Sequence, residues 1–154
     1  MDTKNRINLP VLARESASRD KNTSSFKDLS SLLSSNCSRV SEIYELLDSL
    51  DSFNNKIQLN AEQFIDNFYV IKKQLQIANS YPRTLFKVLR KSYFLYESLA
   101  DYLSSTDCQY DIDLLVEFII EYQIIHGLSY SEIKNIPNFL RLLLIEMFVD
   151  YAVQ

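Results

Sequence analysis

One glycine and three prolines in a chain of 154 residues leave very little with which to turn sharply. A sheet protein reverses direction at short intervals, and its tight turns draw on Gly, Asn-Gly and Pro. Long helices joined by few connections need far fewer such residues. Gly127, Pro10, Pro82 and Pro137 are too few and too far apart for hairpins, but they suit the ends of helices. The chain is therefore expected to be all-α. A chain of this length buries about two-thirds of its unfolded surface, and an apolar content of 47% suits a packed core.

Apolar side chains recur at steps of three and four, the period of a helix with one buried stripe. Between Ser25 and Ser52 that stripe holds Phe26, Leu29, Leu33, Cys37, Val40, Tyr44, Leu47 and Leu50. The other face is rich in serine, so a break is expected near Ser34 to Cys37. Asn60 and Gln63 have capping-box spacing and open a second helix, with Phe64, Phe68, Ile71, Leu75 and Ala78 along one side. Tyr81-Pro82 ends it. A third helix runs from Arg83 to Leu103, kinked near Lys91-Ser92, with Leu85, Val88, Leu89, Tyr96, Leu99 and Leu103 as its stripe.

Ser104 to Tyr110 reads as a polar loop, after which Asp111 caps a fourth helix, Ile112 to Ile125. Its inner residues are expected to be Leu115, Phe118, Ile119, Tyr122 and Ile125, with Gly127 closing it in a left-handed conformation. Ser129 and Glu132 form another capping box for a short turn, Tyr130 to Asn135. Pro137 then opens the last helix, which is apolar nearly all round and should have several neighbours. The expected fold is an irregular bundle of about five main helices. A single helical domain over residues 23–154 follows a flexible N-terminal arm, residues 1–22, in which Leu9, Val11 and Leu12 dock around Pro10.

Several function classes are disfavoured. A formal net charge of -4 gives no general attraction to phosphate backbones, so no nucleic-acid partner is expected. Cys37 and Cys108 match no metal-ligand spacing and read as free thiols in a reducing compartment. The first twenty residues lack the apolar core of a signal peptide, and no stretch reaches the roughly 18 apolar residues of a membrane span. His126 is the sole histidine and sits at a helix end, where an imidazole complements the C-terminal dipole. No serine or cysteine nucleophile stands in a recognisable arrangement with it, so no catalytic residue, metal site or cofactor is assigned.

Two charged strips remain as a candidate interaction surface. Asp113, Glu117 and Glu121 recur every four residues and share one face of the fourth helix. Arg83, Lys87 and Arg90, with Lys91 beside them, form a basic strip on the third. They are expected to be solvated faces, paired across two helices by ion pairs worth about 0–1 kcal/mol each. An anion site would need a glycine-rich loop, and the sequence has none. The ten tyrosines and nine phenylalanines fall mainly on apolar stripes and read as core; an exposed cluster at Tyr93, Tyr96 and Tyr102 would be the exception.

The run Asn60-Ala61-Glu62-Gln63-Phe64-Ile65-Asp66-Asn67-Phe68-Tyr69-Val70-Ile71-Lys72-Lys73-Gln74-Leu75, followed by Tyr81-Pro82-Arg83 and Phe86, resembles the "WLLDNFYLIEEQI" helix and Leu-Pro-Arg of cyclic β-1,2-glucan synthases. Phe118 to Gln123 is similar to that family's "FVRAYQ". Leu128 to Ile133, Ile136-Pro137 and Phe139 to Glu146 are similar to its "LTIGELWAIPIMLRLALIE", in the same order and at like spacing. The resemblance covers residues 60–152, with Leu9-Pro10-Val11-Leu12 as a fainter echo of an opening "LPLL". It departs at the linker between the two blocks, which is shorter here, and at Lys134, where the family has tryptophan.

Full-length members join a membrane-bounded, UDP-glucose-dependent glycosyltransferase region to a C-terminal phosphorylase-like region. The matched segment precedes both and carries none of their catalytic motifs. The resemblance therefore implies a non-catalytic accessory or scaffolding domain in bacterial carbohydrate metabolism. Its expected partner is a glycosyltransferase domain, and its expected location is the cytoplasm, at the inner membrane through that partner. The alternative is a stand-alone helical interaction module, an adaptor or a secreted bacterial effector.

Overall fold

A computed structural model of the chain describes residues 8–18, 35, 38–46, 49, 59–109 and 111–153, with the backbone alone for 59–64 and 152–153. Those residues are all-helical, with no strand among them. The helices are α1 (Leu9–Ala17), α2 (residues 38–46), α3 (Leu59–Asn79), α4 (Arg83–Lys91), α5 (Tyr93–Ser105), α6 (Ile112–Ile125) and α7 (Tyr130–Val153). Their contacts gather into two units: Met1–Phe26 with Lys87–Leu140, and Lys27–Phe86 with Arg141–Gln154.

In the first unit, α1 packs against α5 and α6. The Asn8 side chain caps it, accepting from the Val11 N–H at 3.4 Å, and Pro10 stands in the first turn, where a missing N–H leaves no bond unmade. Leu9, Ala13 and Ala17 are buried at four-residue spacing. The two alanines let the helix backbone lie close to its neighbours. Ser16 Oγ donates to Asp101 Oδ2 at 2.8 Å, fixing the same face by a polar contact. Over Leu9–Ala17 the flexible arm expected from the sequence is thus replaced by a docked helix. Alanine contributes little to an apolar count yet packs well, which is why the stripe is faint in the sequence. Of the residues expected to dock, Leu9 is buried and Leu12 half-buried, while Val11 points out at 46% exposure.

The third helix expected from Arg83 to Leu103 is two helices, divided at Ser92, as the kink foreshadowed. Buried Leu95, Leu99 and Leu103 continue the stripe on α5, joined by Tyr96 and Tyr102. The end of α5 is a left-handed turn. Cys108 N–H donates to the Leu103 carbonyl at 2.8 Å, the six-to-one bond of a Schellman closure, and Asp107 and Cys108 take φ of 52° and 57°. Asp111 then caps α6 as expected, its Oδ1 accepting from the N–H groups of Asp113 (2.9 Å) and Leu114 (3.2 Å).

Two expectations for the following segment are corrected. Helix α6 ends at Ile125 with His126 extended (φ -125°), and Gly127 does not take a positive φ. The turn out of α6 opens into extended chain, so no left-handed residue is needed. Next, the Ser129–Glu132 capping box forms as predicted: Glu132 Oε2 accepts from Ser129 N–H (2.8 Å) and Oγ (2.7 Å), and the Glu132 N–H donates to Ser129 Oγ (3.3 Å). It opens one continuous helix, α7, with Pro137 inside it, rather than a short turn followed by a separate helix. Proline removes the bond to the carbonyl of Ile133, but Ile133 and Pro137 lie on the exposed side, where water can satisfy that oxygen. Ile136, Phe139 and Leu140 bury the opposite side, and Phe139 meets the Tyr96 ring edge-on at 6.2 Å.

In the second unit, α2 buries Val40 and stacks Tyr44 on Phe68 of α3, with ring centroids 3.8 Å apart. Leu75 and Ala78 of α3 are buried where the periodicity placed them. Leu142, Leu143, Ile145 and Val149 are buried along one side of the C-terminal part of α7, while Leu144 (42%) and Tyr151 (60%) stand exposed on the other, so this part of the helix is not enclosed all round as its composition suggested. Arg141 is held by Gln74 Oε1 at 3.1 Å and by the hydroxyl of Tyr81. The rest of the first predicted helix, the break near Ser34 to Cys37, and the Asn60–Gln63 side-chain cap lie outside the described residues.

Candidate functional site

Two features of the first unit could act on something else: a small polar recess around His126, and the outward side of α6. The recess holds about 150 Å³ and is lined by Lys91, Ser92, Tyr122, His126 and Glu132, among others. Helix α6 delivers Tyr122 and His126 at its C-terminal end, and the first turn of α7 delivers Glu132. The ring of His126 lies against that of Tyr122 at 5.8 Å, and the His126 backbone N–H donates to the Tyr122 carbonyl.

Glu132 is the only carboxylate lining the recess, and it is already committed. Its Oε1 accepts from Ser92 Oγ at 2.8 Å while Oε2 takes both donors of Ser129. Burial pushes its carboxyl pKa up, but those hydrogen bonds outweigh burial and hold it below the usual carboxylate range. Such a group stays ionised at neutral pH and makes a poor proton donor. The Tyr122 phenol is pushed up by burial, opposed by a hydrogen bond with Ser98 and reinforced by the charge of Glu132. It stays protonated. Ser92 gives its hydroxyl hydrogen to Glu132, not to the histidine. Ser92 and Ser129 are both bonded to Glu132, which ties the start of α5 to the start of α7.

The charged strips are placed as follows. Asp113 and Glu117 are exposed on α6. Glu121 is part-buried, and its Oε2 accepts from Arg14 of α1 at 2.7 Å (Nη2) and 2.8 Å (Nε). Its partner is α1, not the basic strip expected across a helix pair. Arg83, Lys87 and Arg90 are exposed on α4, opposite buried Leu85 and Leu89. Tyr96 and Tyr102 are core residues, so the tyrosine cluster held open as an exception does not form.

The outward side of α6 is not the purely solvated face that the acidic strip suggested. Leu115, Phe118 and Tyr122 are buried, yet Ile112 (52%), Val116 (48%), Ile120 (56%) and Ile124 (62%) stand exposed. Steps of four bring these side chains into one stripe that drifts slowly round the helix. Asp113 and Glu117 lie alongside it. Ile125, expected inside, is 46% exposed as well. The sequence alone does not separate the exposed isoleucines from the buried ones, because apolar residues stand on both sides of α6. A helix apolar all round carries two stripes, and only the structure says which one the core takes.

Among the described residues, no three His, Cys, Asp or Glu side chains gather as metal ligands. Nor is any helix there long and apolar enough to cross a membrane. No family model matches the sequence, and no curated protein and no solved structure matches it.

Proposed function

We propose that this chain is a non-catalytic helical accessory module that works by holding a protein partner on the outward side of α6. The observation that carries this reading is the exposed Ile112-Val116-Ile120-Ile124 stripe beside Asp113 and Glu117. Single exposed apolar residues are ordinary on a protein surface. Four in register along one helix make a contiguous patch of the kind that marks an interaction site. The recess at His126 supports the non-catalytic half of the proposal, since Glu132, the carboxylate in its lining, is engaged by Ser92 and by the Ser129 cap of α7.

The partner we propose is the glycosyltransferase region of a bacterial glucan synthase, acting at the cytoplasmic side of the inner membrane. The support is the pair of sequence blocks within residues 60–152 that resemble cyclic β-1,2-glucan synthases. The second block includes Phe118 and Tyr122, two of the buried residues of α6, and the start of α7. A stand-alone adaptor would use the same stripe.

The test is titration calorimetry of the purified chain with the soluble transferase region of such a synthase. Wild type is expected to bind, and a Val116→Gln/Ile120→Gln variant at least tenfold more weakly. Turnover of UDP-glucose by the purified chain, surviving purification to homogeneity, would contradict the reading.

A further inference from the structure

We infer that the occupant of the α6 stripe is a single amphipathic helix whose apolar side is flanked by Lys or Arg; this rests on the interaction-module reading above. Three observations select it. The first is shape. The stripe is a single file of side chains, Ile112 to Ile124, running roughly 18 Å along α6. A helix laid along it would present its own apolar residues at three-to-four spacing, the usual arrangement of helix-on-helix recognition.

The second is charge. Asp113 and Glu117 stand exposed at the margin of the stripe, and α6 itself carries no basic residue to answer them. Glu121, the remaining acid of that strip, is taken by Arg14, so among the described residues the carboxylates open to a basic partner are Glu117 and Asp113, the latter also complementing the N-terminus of α6 from its first turn. A partner with Lys or Arg beside its apolar side gains two ion pairs there, and one with Glu meets repulsion. That difference gives selection more than strength.

The third is area. Four half-exposed aliphatic side chains offer about a few hundred Å², well short of the roughly 800 Å² per partner of a standard stable interface. A second copy of this chain meeting through α6 alone would also gain no charge pairing, because both helices bring only acids. The stripe therefore suits a peptide-sized, exchanging partner.

Two synthetic helical peptides test this, identical in their leucine stripe but flanked by Lys in one and by Glu in the other. Fluorescence anisotropy with the full chain should show the Lys peptide binding about tenfold more tightly. Asp113→Lys/Glu117→Lys should reverse that preference. Val116→Gln/Ile120→Gln should abolish binding of both, with its circular dichroism unchanged. Equal binding of the two peptides, unmoved by the charge reversal, would overturn the basic helix while leaving the docking stripe intact. A concentration-dependent dimer that Val116→Gln/Ile120→Gln dissociates would overturn it in favour of a second copy, again sparing the stripe. Neither peptide bound by a monomeric chain would end both proposals.

Discussion

Individual side chains close the helices of the first unit, and two of them make predictions. Asp107 occupies a left-handed position that glycine usually fills, and the chain has no glycine to spare there. Aspartate tolerates that region better than most residues but still with some strain. Asp107→Gly should therefore stabilise the fold by about 1 kcal/mol, read as a higher midpoint in urea. Glu132 ties the cap of α7 to Ser92, and its carboxyl pKa is held low in the folded state. Its contribution is then fully present above the unfolded value near about 4.3 and is lost as pH falls through the lower folded one. The stability gap between wild type and Glu132→Gln should be constant above about pH 5 and shrink below it. A gap independent of pH down to 3 would show that the charge of Glu132 does not matter to the cap.

At the scale of the element, helices were legible wherever one stripe dominated. The buried positions of α3 and α5, the break at Ser92, the Asp111 cap and the Ser129–Glu132 box all follow from spacing and cap chemistry. What escaped had a physical cause in each case. Helix α1 is held by alanines and a serine-to-aspartate bond, neither of which raises an apolar period. Pro137 reads as a helix start, because a sequence does not show that its exposed side can leave a carbonyl to water. Helix α6 reads as ordinary because its second stripe hides among the residues that fill the first. The docking of α1 can be checked directly. Ala13 is fully buried, so Ala13→Glu places a charge where no partner waits. It should release α1 and make its amides exchange within seconds in hydrogen-exchange measurements, while α6 stays protected. Continued protection of α1 would show that the helix does not depend on that contact.

At the scale of the whole molecule, the described residues are all-helical, and the outward side of α6 is the surface on which the proposed function rests. In the first unit, the recess at His126 is lined in part by Ser92 and Glu132, which are bonded to each other. Helix α6 has one side in the core and a second side that carries an exposed apolar stripe. Phe118 and Ile120 lie two residues apart on opposite sides, the first fully buried and the second 56% exposed. Urea unfolding of Phe118→Ala and Ile120→Gln, measured in parallel on the isolated chain, separates the two sides. Phe118→Ala should lose about 3–5 kcal/mol, and Ile120→Gln should stay within about 0.5 kcal/mol of wild type. If Ile120→Gln loses as much as Phe118→Ala, the stripe belongs to the interior and there is no free surface for a partner to hold.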